Sequence, residues 1–256
     1  LGTDPKPSSL RAALIYVEPT FEGASLAISV EYGSTRSLEL GAQAPASSTW
    51  VSVDDEFPAS AGVMEPAVYA TLSPDWLSAC LLRSRTLAVN ADPSWQWFDD
   101  FYVGSAHTAV NEVEPGVTEL IDVMGDPEPW LFDRTLTLFG LYARTGDVQW
   151  LRHAHRSAQF YVRHLDANGN FDLKGEDLKY SYGQSLLVDM LLTGDTGMID
   201  PIERVADAAV PWKADYQPQS NFWTERHQTY ALLAALAAFE ATGKSEHGDR
   251  ARAVAA

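Results

Sequence analysis

The sequence has few of the features that mark disulfide-bonded, membrane-spanning or nucleic-acid-binding proteins. Cys80 is the single cysteine, so no disulfide can form within the chain. No apolar run approaches the roughly 18 to 20 residues that a helix needs to span a bilayer. The chain has 18 basic residues against 35 acidic ones, a net charge of −17. This charge argues against nucleic acid or an anionic membrane as the main partner, because both bind basic surfaces.

Sequence motifs for common cofactors are also missing. There is no glycine-rich phosphate loop, no Cys/His spacing for zinc and no GxSxG element. The segment 166–177 is similar to a calcium loop in the spacing of Asp166, Asn168 and Asn170. It lacks the glycine and the terminal glutamate at the required positions, so we interpret it as a plain connection between helices. We therefore expect neither a metal nor a cofactor.

Residues 1–72 are predicted to form a β-rich domain. Short runs with alternating apolar residues are separated by turn-forming segments such as 54–66, a pattern typical of antiparallel strands. Residues 73–127 are predicted to be a bridging segment with short helices and a polar connection. The predicted strands cover 13–17, 25–32, 36–40, 49–53 and 68–72.

Residues 128–256 are predicted to be helical and to repeat. Three of the helices end at a threonine followed by glycine, the residue that favours a left-handed helix stop. Thr145, Thr193 and Thr242 stand 48 and 49 residues apart, with two helices in each period, which indicates repeated αα-hairpins. The predicted helices cover 129–145, 147–165, 178–193, 199–210, 222–242 and 246–256.

The two helices of each period differ in character. The helix 147–165 has one apolar stripe and an arginine-rich opposite face, as expected of an outer helix with one wet side. Its partners are apolar nearly all round, as expected of inner helices. The pattern predicts a mainly α protein, an (α/α)n toroid with the β-rich N-terminal domain; a superhelical solenoid is the main alternative. Three hairpins, or four with helices in 75–103, are too few to close a ring. The chain is then a truncated piece, an open half-barrel, or a subunit that completes its cleft by self-association.

The predicted inner helices begin with polar and aromatic residues. Glu128, Glu176 and Glu225 each stand seventeen residues before the shared threonine, so they are expected at one mouth of the toroid. A simpler explanation is that acidic residues favour helix N-termini. In 221–230, Trp223, His227 and Tyr230 fall on one helical face beside Arg226. The cluster predicts either a buried structural hydrogen bond or a site at the open end of the helix.

Arginine, histidine and tyrosine together suit β-elimination on a uronic acid. Arginine, asparagine or glutamine neutralises the carboxylate and acidifies the C5 proton, a neutral histidine or ionised tyrosine removes that proton, and a tyrosine hydroxyl protonates the leaving oxygen. An ion pair between Asp133 and Arg134 is expected to orient the site. The candidate catalytic residues are His227, Tyr230, Tyr180, Tyr182 and Arg226, and the candidate substrate-binding residues are Asn221, Trp223, Gln184, Arg134 and Glu225.

The stretches DRTLTLFGLYARTGD, DLKYSYGQSLLVDMLLTGD and FWTERHQTYALLAALAAFEATGK resemble the toroid domains of bacterial polysaccharide lyases. The resemblance covers about residues 128–244 and is strongest to glucuronan and alginate lyases; uronate-processing hydrolases are a looser match. It implies abstraction of the C5 proton in a cleft holding His227, Tyr230, Tyr180, Tyr182 and Arg226. It also leads us to expect a secreted or periplasmic protein with a polysaccharide substrate.

Two other functions fit the same residues. A toroid glycoside hydrolase would use a pair of carboxylates about 5–9.5 Å apart. A non-catalytic carbohydrate-binding module would use the incomplete toroid as a docking surface. The carboxylates available to a hydrolase are Glu128, Asp133, Glu176, Asp177 and Glu225.

Overall fold

The computed structural model describes the protein mainly from residue 130 onward, with short segments before it. Within these ranges the chain is mostly helical, which confirms the mainly α prediction. The described residues are 50–52, 64–66, 69, 71–79, 88, 91–97, 100, 130–131, 133–175, 177–210 and 224–255. Their α-helices are α1 Pro74–Ala79, α2 Arg134–Thr145, α3 Val148–Arg163, α4 Gly183–Thr193, α5 Ile199–Ala208, α6 Thr224–Thr242 and α7 Ser245–Ala255.

Helices α2 to α7 form three consecutive hairpins with the same turn chemistry. At the end of α2, the Thr145 hydroxyl donates to the carbonyl of Leu141 at 2.8 Å and accepts from the N–H of Asp147 at 3.1 Å. Gly146 follows in the left-handed conformation, with φ 70°. The threonine and glycine that end α4 and α6 repeat this arrangement. The spacing of 48 and 49 residues is therefore a structural repeat.

The first helices of the hairpins are neighbours in order. Helix α2 contacts α4, and α4 contacts α6, while α3, α5 and α7 each pack on the partner within their own hairpin. The contact between α4 and α6 is close because both sides are small: a methyl group on Gly183 would lie 3.5 Å from the Cα atom of Ala234 and 3.6 Å from Cβ of Ala237. The face of α6 with Ala234 and Ala237 thus packs on α4.

A buried column of aromatic rings lies under the starts of these helices. The rings of Trp130 and Phe171 are 5.2 Å apart, and those of Phe171 and Tyr161 are 4.9 Å apart. The ring centres of Tyr161 and Tyr182 are 5.5 Å apart, and those of Tyr182 and Tyr230 are 5.6 Å apart. Such ring pairs add about 0.5–1.5 kcal/mol each beyond their buried area. The column fixes the segments that precede α2 and α4 against α6.

Helices α2 and α4 begin later than the sequence predicts. Helix α2 begins at Arg134 and α4 at Gly183, whereas 178–180 is a short 3-10 turn. The reason is tertiary hydrogen bonding: the Tyr161 hydroxyl donates to the carbonyl of Tyr180 at 2.6 Å and accepts from the N–H of Tyr182 at 3.1 Å. These backbone groups are therefore unavailable to a helix. Tyr180 and Tyr182 precede α4 rather than starting it.

The described part of 1–72 contains one antiparallel strand pair. Strand β1, Trp50–Ser52, lies inside the predicted strand 49–53 and pairs with β2, Met64–Pro66, with Val51 opposite Glu65. Residues 64–66 were predicted as part of a turn, and that prediction is wrong, because the buried Glu65 side chain fixes β2 to α3 through Arg152 and Arg156. The described residues of the predicted strand 68–72 lie outside any strand; the N–H of Leu72 donates to the Tyr142 hydroxyl instead. The other predicted strands and the polar connection before residue 130 lie outside the described residues.

The connection after α3 is a tight turn built by Asp166. Its Oδ1 atom accepts from the N–H groups of Asn168 and Asn170 at 2.8 and 2.9 Å. Gly169 sits at the tip with φ 83° and lies directly against the backbone of Arg204. Of the helices in the described ranges, none is long and apolar enough to cross a membrane.

Candidate functional site

A cavity of about 460 Å³ lies where the starts of α2, α4 and α6 meet. Each helix supplies one wall, so the site depends on all three repeats. The lining residues are Asp133 and Leu136 from the α2 wall, Ser181, Tyr182 and Gln184 from the α4 wall, and Glu225, Arg226, Thr229, Tyr230 and Leu233 from the α6 wall.

The structure brings half of the ten candidate residues into this cavity. Tyr180, His227 and Arg134 are not among the lining residues. Asn221 and Trp223 lie outside the described residues, as do Glu128 and Glu176. The candidates that line the cavity are Tyr182, Gln184, Glu225, Arg226 and Tyr230.

Arg226 and Tyr230 lie side by side on α6, one turn apart. The guanidinium carbon of Arg226 is 5.8 Å from the centre of the Tyr230 ring, and the guanidinium also donates to the carbonyl of Leu131. Burial raises the pKa of Tyr230, and the hydrogen bond and charge of Arg226 lower it by less, so the pKa stays above its ordinary value. Tyr230 is therefore a neutral phenol at neutral pH, next to a permanent cation.

Tyr182 is held in place by the backbone across the cavity. Its ring is 1% exposed and packs edge-on to Tyr230, and its hydroxyl donates to the carbonyl of Trp130. Burial, with a contribution from the nearby charge of Asp133, raises the pKa of Tyr182 far above its ordinary value. This geometry gives Tyr182 a role in positioning Tyr230. Proton transfer by its hydroxyl would first require breaking the bond to Trp130.

Tyr180 belongs to the core beside the site. Its side chain is buried, and its ring centre lies 6.5 Å from that of Phe171 and 6.2 Å from that of Tyr182. The nitrogen of Lys179 is 5.1 Å from the ring centre. Tyr180 thus supports the cavity wall from behind.

His227 faces a carboxylate outside the cavity lining. Its Nε2 atom is 3.1 Å from Oδ1 of Asp177, whose other oxygen is 2.8 Å from the nitrogen of Lys179. Burial would raise the pKa of Asp177, but hydrogen bonds from Lys179 and His227 outweigh it and leave the pKa below its ordinary value. Asp177 is therefore ionised at neutral pH and holds the imidazole. On the helical wheel Tyr230 lies between Arg226 and His227, and the face with Arg226 is the one that lines the cavity.

Two carboxylates line the same cavity. Asp133 is 6% exposed and has a left-handed backbone, with φ 52°. Its Oδ1 atom accepts from the N–H of Leu136 at 3.0 Å, so Asp133 is the N-cap of α2. Glu225 is exposed in the first turn of α6. Arg134, half-buried at the start of α2, lies outside the lining.

Sequence reasoning did not select two polar residues of the lining, Ser181 and Thr229. Thr229 carries a detectable signal, because Arg226, Thr229 and Leu233 follow helical spacing. Ser181 carries none, because the helix was predicted to begin at residue 178 and this placed Ser181 inside it. Its position is defined by the tertiary hydrogen bonds that delay α4.

No family model, curated protein or solved structure matches this chain. Among the described residues, no three or more histidine, cysteine or acidic side chains are grouped so as to hold a metal ion. What the cavity offers chemically is a guanidinium, a neutral phenol, an amide, hydroxyl groups and two carboxylates. These groups suit binding and proton transfer on a polar ligand of the size of a sugar residue.

Proposed function

We propose that this protein cleaves a uronic-acid-containing polysaccharide, of the alginate or glucuronan type, by β-elimination. The observation that carries the proposal is the pairing of Arg226 with Tyr230 in a cavity that also presents Gln184. Elimination needs a cation or amide at the carboxylate and a proton-transfer group at C5, and these residues are of those types.

In the proposed reaction, Arg226 and Gln184 bind the C6 carboxylate and acidify the C5 proton. The phenolate form of Tyr230 removes that proton, the C5–H electron pair forms the C4–C5 double bond, and the bond from C4 to the glycosidic oxygen breaks. The Tyr230 phenol then protonates the leaving oxygen. The products are one chain with an unsaturated sugar at its new non-reducing end and a second chain with a new reducing end, and Tyr230 returns to its starting form. The Arg226 cation beside Tyr230 stabilises the phenolate.

This assignment differs from the one based on sequence, in which His227 was a candidate base. His227 is held by Asp177 outside the cavity lining, so the proposal gives both proton transfers to Tyr230. Tyr182 then positions the Tyr230 ring. Glu225 contacts the sugar hydroxyls at the entrance.

We also propose that the three hairpins are an arc of an α/α-toroid, preceded by a β-rich N-terminal domain. The neighbouring order of α2, α4 and α6, with α3, α5 and α7 as their hairpin partners, supports the arc. A solenoid would share this local order. Self-association of the chain is the proposed route to a complete cleft.

The proposal is tested by incubating the full chain with alginate, glucuronan and other uronans and following the ultraviolet absorbance of the unsaturated product. Tyr230→Phe is expected to lower the rate at least about 100-fold, the usual effect of losing a general acid–base group. Tyr180→Phe, a matched change outside the cavity, is expected to keep the rate. A folded chain that yields no ultraviolet signal with any uronan would show the proposal to be wrong.

A second candidate, glycoside hydrolysis, is favoured by one observation: Asp133 and Glu225 line the same cavity. Hydrolysis needs an acid and a second carboxylate about 5–9.5 Å apart. It would release reducing ends without the ultraviolet signal, and Glu225→Gln would abolish it. In a lyase Glu225→Gln is expected only to weaken substrate binding, so the two assays run together separate the functions.

A further inference from the structure

The α4 wall of the cavity differs from the other two in its charge. Its lining residues, Ser181, Tyr182 and Gln184, are all neutral. The α2 wall carries Asp133, and the α6 wall carries Glu225 together with the cation Arg226. An anionic group against α4 therefore meets no like charge on that wall and can face Arg226 across the cavity.

Helix α4 begins at this wall without a side-chain cap. It runs for 11 residues from Gly183, and its N-cap residue, Tyr182, makes no side-chain hydrogen bond to the first turn. The first N–H groups of any helix lack partners inside the helix and carry the positive end of its dipole. In α2 and α3, the side chains of Asp133 and Asp147 accept hydrogen bonds from these N–H groups. At α4, the N–H groups of the first turn can instead donate to an acceptor outside the helix.

Ser181 supplies a second and independent indication of a ligand. It is only 6% exposed and lines the cavity. Its backbone N–H donates to the carbonyl of Leu178, and its hydroxyl has no hydrogen-bond partner among the described residues. The hydroxyl oxygen is not one of the fully buried side-chain atoms that lack a partner, so it remains accessible through the cavity. Ser181 is therefore placed to donate to an acceptor bound in the cavity.

We infer that the α4 wall is a carboxylate subsite, in which the Ser181 hydroxyl and the first N–H groups of α4 bind the carboxylate of a uronic acid. The inference rests on the proposed function for the identity of the ligand and goes beyond it by assigning Ser181 and the start of α4. The carboxylate lies against α4 on one side and faces Arg226 on the other. A doubly charged phosphate or sulfate would be repelled more strongly by Asp133 and Glu225 in the same cavity, which favours a singly charged group.

The test is a binding titration of the full chain with glucuronate and, separately, with glucose as the neutral counterpart. Glucuronate is expected to bind at least about tenfold more tightly than glucose, as one hydrogen bond to a charged group would produce. Ser181→Ala is expected to weaken glucuronate binding about tenfold and to leave glucose binding unchanged. Ser157→Ala is the matched control, since Ser157 is 7% exposed but bonds to Thr135 and is not among the lining residues.

Several outcomes would overturn the inference: no saturable glucuronate binding in the millimolar range, equal binding of glucose, or unchanged glucuronate binding by Ser181→Ala. If inorganic sulfate competes with glucuronate and binds with equal affinity, the site is a general anion site and not a carboxylate subsite. The experiments distinguish failure of the subsite from failure of the proposed function. If glucuronate binding depends on Ser181 but no unsaturated product forms, the subsite is supported and the proposed function is wrong. If product forms and Ser181→Ala leaves KM unchanged, the proposed function is supported and the subsite is wrong.

Discussion

At the scale of single residues, Gly169 is the most tightly enclosed of the described glycines and lies in the turn between α3 and the segment leading to α4. A methyl group there would lie 2.0 Å from the carbonyl oxygen of Arg204, and φ is 83°. We expect Gly169→Ala to lower the free energy of unfolding by about 3 kcal/mol, from the left-handed backbone and the clash together. Urea or thermal unfolding of the two proteins measures the difference.

Gly243 separates the two causes. It has φ 70°, but a methyl group there would have no neighbour within 4 Å. Gly243→Ala is therefore expected to cost only about 1 kcal/mol, the backbone contribution alone. Equal losses at the two positions would mean that the contact with Arg204 does not restrict the fold.

Tyr230 gives the proposed reaction its pH dependence. The base must be a phenolate, and burial keeps the pKa of Tyr230 above its ordinary value of about 10 despite the opposing effect of Arg226. We therefore expect kcat/KM to rise with pH through the neutral range and to level off only above about pH 10. Arg226→Gln should move this limb to still higher pH, because it removes the group that lowers the pKa.

Initial rates of unsaturated product across this pH range measure the profile, and Tyr180→Phe serves as a control with the limb unchanged. Release of reducing ends without unsaturated product, at a rate that is lost as pH rises through the range of a carboxylic acid, would instead identify Glu225 or Asp133 as the essential acid of a hydrolase.

Some residues of the site could be predicted from the sequence and others could not. Arg226, Tyr230 and Glu225 could be predicted because one helix carries them, and helical spacing fixes their relative positions. His227 is the next residue after Arg226 and lies on a different side of the helix, where its imidazole contacts Asp177, which is fifty residues away in the sequence. Ser181 was missed for a similar reason, since its place depends on hydrogen bonds between Tyr161 and the segment before α4.

At the scale of elements, Glu65 joins the strand β2 to the helix α3. Its side chain is 7% exposed and accepts from Arg152 at 2.8 Å, from Arg156 at 3.4 Å and from the hydroxyl of Tyr69 at 3.3 Å. Burial raises the pKa of Glu65, but the hydrogen bonds and charges of the two arginines lower it more, so the folded pKa is below the ordinary value. The ionised form is thus the one that stabilises the fold.

We expect Glu65→Gln to lower the free energy of unfolding by about 2 kcal/mol at neutral pH, a value reduced for the 36% exposure of Arg152. Because the folded pKa is depressed, this stabilisation is present above the unfolded pKa of about 4.3 and is lost as pH falls through the folded pKa. Urea unfolding at neutral pH and at about pH 3 should show a gap between the two proteins that narrows on acidification.

Glu246→Gln is the control for this pair, since Glu246 is exposed on α7. It should change stability by no more than about 0.5 kcal/mol at either pH. A gap for Glu65→Gln that widened on acidification would contradict the ionised state assigned to Glu65.

The ends of α2, α4 and α6 could be predicted from the sequence, whereas the starts of α2 and α4 could not. Each of the three helices ends at a threonine and glycine whose interactions are local, within four residues along the chain. Their starts depend on distant partners: the Tyr182 hydroxyl donates to Trp130, and Arg226 donates to Leu131. Local patterns contain no information on such contacts, so the predicted starts of the first two inner helices were about five residues early, at 129 and 178.

At the scale of the whole molecule, repetition creates the site. A period of 48 to 49 residues places the starts of α2, α4 and α6 at neighbouring positions, and each contributes different side chains to one cavity. The repeat was readable from the sequence because its turn chemistry recurs. The cavity itself was not, since its walls come from residues that the repeat does not share.

The net charge of −17 makes a prediction about polymeric substrates. An acidic protein and a polyuronate repel each other at long range, while the cavity attracts only through local groups such as Arg226. The Debye length falls from about 30 Å at 0.01 M salt to about 8 Å at 0.15 M. We therefore expect kcat/KM for a long uronan to rise several-fold over this interval, as the repulsion is screened, and kcat/KM for a methyl-esterified, uncharged polymer to stay constant. Initial rates at fixed pH measure both. A steep fall of kcat/KM with salt would mean that a basic surface captures the polymer, which would contradict a substrate contact confined to the cavity.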